Sequence, residues 1–216
     1  MDDQLHNAAV LTGDLVDSSK AGQAATDLAL DSIRSTLSRV ESWFGNGPGY
    51  FTRMRGDGWQ FIVHNPLYTL RASLLVFAEL GSDRDLPQTR ISIGLDGVTA
   101  LDRSNLSASS GPAFINSGQT LDAMTKADRF AIAGTTATVL HRAVVALVEE
   151  QIGHWTPEQA EAVALYLTPE DPTLKDIGQT IGISTQAAHS RVTGAGGQAL
   201  RQAVKYWEDQ RDLVPC

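Results

Sequence analysis

The chain has 216 residues, an apolar share of 42% and a formal net charge of -8 at neutral pH. That is enough apolar material for a packed core, in one large domain or a medium domain plus a small one. No apolar run reaches the roughly 20 residues of a membrane-spanning helix, so a membrane partner is not expected. The acidic balance excludes a surface coated in basic side chains and predicts that any nucleic-acid binding is modest and salt-sensitive. The opening MDDQLHNAAV has neither the basic start nor the apolar stretch of a secretory signal. The single cysteine, Cys216, has no partner for an internal disulfide. Both point to a cytoplasmic protein.

Residues 8–15, AAVLTGDL, form a short apolar run that predicts a buried strand ending at Asp14. Polar VDSSK follows, where Asp17 is a candidate cap for the next helix. Leu28, Leu30, Ile33, Leu37, Val40 and Phe44 then recur at three or four residues, which predicts an amphipathic helix over 24–45. GNGPG stops it. YFTRM and WQFIV alternate as two strands joined through RGDG, a hairpin signal that places Asp57 in the turn. Pro66 opens a helix with Leu67, Leu70, Leu74, Leu75 and Phe77 on its buried side. RISIGLDGV reads as a strand with Asp96 in a turn, SNLSASSGP as a polar loop, and helices are expected over 113–125 and 135–151 around a short strand, FAIA. The order of elements predicts an α+β sandwich, with a mostly antiparallel sheet and helices on one face.

Asp14 and Asp57 admit two readings. Asp-Gly suits a type I′ turn, and Asp14 before a loop can cap it. Alternatively both lie at one sheet edge and hold Mg²⁺ together with phosphate oxygens and the carbonyl of Leu15. TGDLVDSSK, from Gly13 onward, would then supply backbone N–H groups to a triphosphate.

VLTGDLVDSS, RMRGDGWQFIV, RISIGLDGV and GPAFINSGQTLD together resemble the class III nucleotidyl cyclase fold, most closely its bacterial SatD-like branch, over residues 8–125. The resemblance implies a ferredoxin-like palm in which Asp14 and Asp57 bind catalytic metal ions. It puts Arg53 where cyclases carry a purine-reading Lys, Asn116 at the ribose-orienting Asn, and Ser109 near a second purine-reading residue. Thr120 stands where the family has an Arg that stabilises the transition state. Arg55, Lys126 and Arg129 are further candidate phosphate partners. Two-metal chemistry in such a site would activate a ribose hydroxyl.

Beyond about residue 152 the pattern is entirely helical, which predicts domains over 1–152 and 153–216. Thr156 is the expected cap of the first tail helix. TLKDIGQTIGISTQAAHSRV has helix-turn-helix grammar and resembles the last domain of sigma factors. Ile177, Ile181, Ile183, Ala188 and Val192 face inward, Gly178 and Gly182 allow the close turn, and Ser184 caps the second helix. Thr185, Gln186, His189 and Arg191 are left for base edges and phosphates. Residues 156–216 hold five Lys/Arg against eight Asp/Glu, so a dimerising three-helix bundle is the competing reading. The expected whole is a cytosolic Mg-nucleotide-binding regulator coupled to DNA; the alternative is an active cyclase or oligonucleotide synthase. A homodimer fits both halves, since such sites and operators often lie across two-fold axes.

Overall fold

The computed structural model describes residues 5–45, 47, 49–54 and 56–209, with side chains from Ala8 onward. Arg55 and Cys216 lie outside the described residues. The chain runs β1 (Leu5–Leu15), α1 (Ser18–Ala21), α2 (Gln23–Trp43), β2 (Tyr50–Arg53), β3 (Trp59–Val63), α3 (Thr69–Ser82), β4 (Thr89–Val98), α4 (Pro112–Ala123), β5 (Phe130–Ala133) and α5 (Val139–Ile152). The helices α6 (Pro157–Tyr166), α7 (Leu174–Thr180), α8 (Thr185–Gly194) and α9 (Gly197–Glu208) complete it. This is an α+β fold, and no described helix is long and apolar enough to cross a membrane.

The five strands lie in the order β2-β3-β1-β4-β5. The first three pairings are antiparallel, and β4 pairs with β5 in parallel. β1 is central and buried on both sides, which is why it reads as a continuous apolar run rather than an alternating one. Ala9, Leu11 and Leu15 join the larger core with α2 and α3, whereas Ala8 and Val10 face a second cluster containing Ala113 of α4.

The expectation of helices on one face is therefore corrected, because α4 covers the opposite face. Small residues on that side of the sheet allow it. A Cβ at Gly94 would lie 2.1 Å from the backbone oxygen of Ala113. Two finer expectations also change. Leu28 is 62% exposed and takes no part in the core. Asp96 is not in a turn but inside β4.

The tail docks on the larger core through the stripe Leu200, Val204 and Trp207 of α9, spaced to lie along one helix face. Trp207 is 1% exposed, and its indole stacks at a tilt on His141, 4.6 Å between ring centres. Arg71 of α3 meets the carboxylate of Glu208 through Nε at 2.6 Å and Nη2 at 2.7 Å. One cluster of buried side chains thus runs from Ala9 to Trp207.

Candidate functional site

Asp14 is the last residue but one of β1, and Gly13 beside it pairs with Trp59 at the start of β3. That register places the hairpin loop against the end of β1. Only glycine fits at position 13, since a Cβ there would sit 2.5 Å from the Trp59 ring and from the Arg90 carbonyl oxygen. Asp14 and Asp57 consequently line one open groove of about 570 Å³, with Met54, Gln60 and Asp122 on its other walls.

Asp57 lies in the turn between β2 and β3, as expected, but the type I′ form of that turn is corrected. Arg53 pairs with Trp59 across the hairpin, so the connection spans 54–58 and is not a two-residue loop. Its closing bond runs from Met54 N–H to the Gly58 oxygen at 2.8 Å. Gly56 takes the left-handed backbone, with φ +77, and Asp57 does not. A type I′ turn needs positive φ at both central residues. The connection is therefore not the two-residue type I′ turn that favours Asp-Gly.

Each carboxylate has a side-chain partner. Asp57 accepts a hydrogen bond from Ser18 Oγ. Asp14 faces its register partner Arg90 and accepts from Nε at 2.8 Å and from Nη2. The hydrogen bond to Asp14 raises the Arg90 guanidinium further above its already high ordinary range. Thr89 Oγ donates to the Asp14 carbonyl at 2.7 Å and accepts from Trp59 Nε1 at 3.1 Å, so the backbone of the site is anchored from below.

Two further openings flank the groove. One, of about 300 Å³, runs from Asp14 and Leu15 past Arg90 to Lys126 and Arg129. The other lies between Asp57, Ser18, Ser19, Gln23 and Arg53. Arg53 is held there, donating from Nη1 to Asp27 at 2.7 Å and from Nε to the Gly56 carbonyl at 3.2 Å. The bond from Arg53 is the main reason the Asp27 carboxyl lies below its usual range. Asp17 does not cap α1 with its side chain; it adopts φ 54 and pairs with Lys20 at 3.0 Å.

Asn116 is not brought to the carboxylates within one chain. Its amide donates to Asp96, which also accepts from Thr135 N–H at 3.0 Å. Asp96 pairs with Ala8 in β1 where Arg90 pairs with Asp14. The two places are therefore roughly 20 Å apart along the strand. Thr120 is half-buried on α4, and Ser109 accepts the Asp102 N–H at 2.8 Å in the loop before it. Arg90, Ser18 and Asp122 escaped sequence reasoning. Only the strand register brings Arg90 to Asp14, and no spacing in the sequence marks that register.

Among the described residues no group of three His, Cys, Asp or Glu converges as a ready metal cage. Two carboxylates in a groove fit Mg²⁺ only in the mode that draws its other ligands from phosphates and water. Such an ion would share the Asp14 carboxylate with Arg90 or displace it, whereas Ser18 engages only one oxygen of Asp57.

In the tail, α7 and α8 pack with α6 through Ala162, Ile177, Ala188 and Val192. Ser184 caps α8 by accepting the Ala187 N–H at 3.1 Å, and a Cβ at Gly178 would lie 2.8 Å from the Ile183 oxygen. Thr185, Gln186 and His189 are exposed along a shallow groove with Leu174 and Ser190. Arg191 does not share that face. It turns toward α6 and pairs with Glu161 at 2.7 Å, because two residues beyond His189 the helix has rotated by about 200°.

No protein-family model matches the chain, and no curated protein matches it.

Proposed function

We propose that this protein is a cytoplasmic regulator in which residues 1–152 bind a nucleoside triphosphate with Mg²⁺ and residues 153–216 bind DNA. The observation that carries the first half is the shared groove of Asp14 and Asp57. The order β2-β3-β1-β4, with α2 and α3 on one side, supports reading this part as a ferredoxin-like palm of the nucleotidyl cyclase kind. Asp14, Asp57 and the Leu15 carbonyl would hold the metal ion. When bound, it would offset phosphate charge and draw the phosphates into the groove. Arg90, Lys126 and Arg129 would meet the phosphate oxygens.

Asn116 lies away from this groove in its own chain, as it would if two copies completed each site. The exposed Val139, Leu140 and Leu147 of α5 favour such a homodimer. Calorimetric titration with a panel of nucleoside triphosphates and Mg²⁺ tests the reading. At least one should bind, and binding should be lost in Asp14→Ala and Asp57→Ala. No heat from any triphosphate would end it.

The guanidinium of Arg90 beside Asp14 favours a second reading, catalysis, because it supplies a cation that Thr120 does not. Pyrophosphate release that disappears in Asp57→Asn would assign it.

The exposed face of α8 supports DNA contact, and its charge sets the expected character. With Arg191 paired inward, few cations remain to neutralise phosphates. Anisotropy titrations on duplex DNA should give a shallow dependence of affinity on salt, and Gln186→Ala with His189→Ala should remove preference among sequences. Equal binding of this double variant and the native chain to every duplex would refute base reading by α8.

A further inference from the structure

The end of α3, the start of β4 and the connection from α5 to α6 border a cavity of about 390 Å³ that shares only Arg129 with the openings described above. Its walls have two chemistries. Phe77, Leu86, Ile152 and Trp155 supply apolar surface. Two of these rings are held in place. Phe77 meets Phe130 edge-on at 5.4 Å, and Trp155 Nε1 donates to the Ala195 carbonyl at 2.9 Å.

Arg84, Arg129 and Asp83 bring charge to the same space, and the Asp83 carboxylate accepts the Asp85 N–H at 2.9 Å. Arg84 is already paired, with Glu158 at 3.1 Å. The guanidinium of Arg129 donates to the carbonyls of Lys126, at 2.7 Å, and Asp128, at 3.2 Å, and among the described residues it has no carboxylate in salt-bridge contact. Backbone carbonyls orient a guanidinium without cancelling its net charge.

We propose that this cavity binds a small amphipathic anion, with a flat apolar body against Phe77, Leu86, Ile152 and Trp155 and one acid group directed to Arg129. The volume falls within the range of small-molecule sites, about 300–1,000 Å³, and a junction between two packed segments is where such sites concentrate.

The location also gives the ligand a role. Gln88 and Thr89 line the cavity. The Gln88 carbonyl accepts the Val16 N–H at 2.7 Å, Thr89 Oγ donates to the Asp14 carbonyl at 2.7 Å, and the next residue, Arg90, holds the Asp14 carboxylate. Arg129 lines the Asp14 opening as well. On the other side, the occupant touches the connection that leads into the helical tail. A ligand here therefore contacts both the strand that positions Asp14 and the base of the tail, which is the placement of an effector. That regulatory role rests on the nucleotide reading; the binding itself does not.

The test uses the full chain in a chelator, without nucleotide, and titrates 8-anilinonaphthalene-1-sulfonate while following its fluorescence. One saturable site per chain is expected. Gly153→Phe places bulk on the cavity wall at a backbone φ of -62, where a Cβ would meet nothing closer than 3.5 Å. It should weaken binding at least about tenfold, and Arg129→Gln should do so by about tenfold, the worth of one charged hydrogen bond. Neutral N-phenyl-1-naphthylamine should bind native and Arg129→Gln chains alike. The double variant Leu140→Glu/Leu147→Glu, on the exposed face of α5, should bind the sulfonate as the native chain does.

Native affinity in Gly153→Phe, or loss of binding in the α5 double variant, overturns the site. An unchanged sulfonate affinity in Arg129→Gln overturns the acid group. Since neither metal nor nucleotide is present, these outcomes are independent of whether the Asp14 groove binds a triphosphate.

Discussion

Arg71→Ala is expected to destabilise the folded chain by about 3–5 kcal/mol, the cost of leaving one partner of a buried ion pair alone. The Arg71 side chain is 7% exposed and that of Glu208 18%. The guanidinium bridges three elements: it donates twice to Glu208 on α9 and, through Nη1, to the carbonyl of Leu167 just after α6. Alanine would strand a nearly buried carboxylate and an unpaired helix-end carbonyl together. Urea denaturation followed by tryptophan emission reads the effect directly, because Trp207 lies one residue before Glu208 in the same joint. The double variant Arg71→Met/Glu208→Leu should recover most of the loss, since it removes both charges. A single variant within 1 kcal/mol of native would mean that the tail is held by Leu200, Val204 and Trp207 alone.

Arg90→Met is expected to move two affinities in opposite directions. In the native chain Arg90 competes with any cation for Asp14. Removing it frees the carboxylate, and Mg²⁺ alone should bind more tightly. The same guanidinium lies beside Lys126 and Arg129, where it would meet phosphate. The Mg²⁺–triphosphate complex should therefore bind more weakly, by about tenfold to a hundredfold, the worth of a hydrogen-bonded charge pair. Calorimetry with each ligand separates the two effects. If Mg²⁺ and the triphosphate both weaken, Arg90 is a positioning residue for Asp14 and does not compete with the metal.

These predictions concern residues that differ in how readily the sequence discloses them. The caps Thr156 and Ser184 were legible because capping is local: a side-chain oxygen reaches an N–H within three residues, so type and spacing suffice. The inward positions of the tail, Ile177, Ala188 and Val192, were legible for the same reason, since helical periodicity alone sorts them. Arg191 was misplaced although it lies on the same helix. Helical rotation carries it away from His189 onto the flank that meets α6, where Glu161, thirty residues away, pairs with it.

Asp14 and Asp57 are an intermediate case. Asp14 stands near the end of a recognisable strand and Asp57 in the turn of a recognisable hairpin, so the sequence put both near a sheet edge. Whether it was the same edge depended on how β1 and β3 align, which is a pairing between residues far apart in the chain. Asn116 shows the opposite outcome. Its motif was as clear as the others, yet it lies beside Asp96, toward the far end of β4.

The sequence by itself determined which segments are strand or helix, where several helices begin, and which side chains are apolar enough to form a core. Those properties depend on neighbours within a turn or two. Only the tertiary structure decided that α4 covers the second face of the sheet, that Arg90 holds Asp14, that Arg71 joins the sheet-bearing segment to the tail, and that a cavity lies at that joint. Each depends on strand register and on the docking of elements distant along the chain. Many sequences with the same local periodicity could satisfy those pairings in other ways.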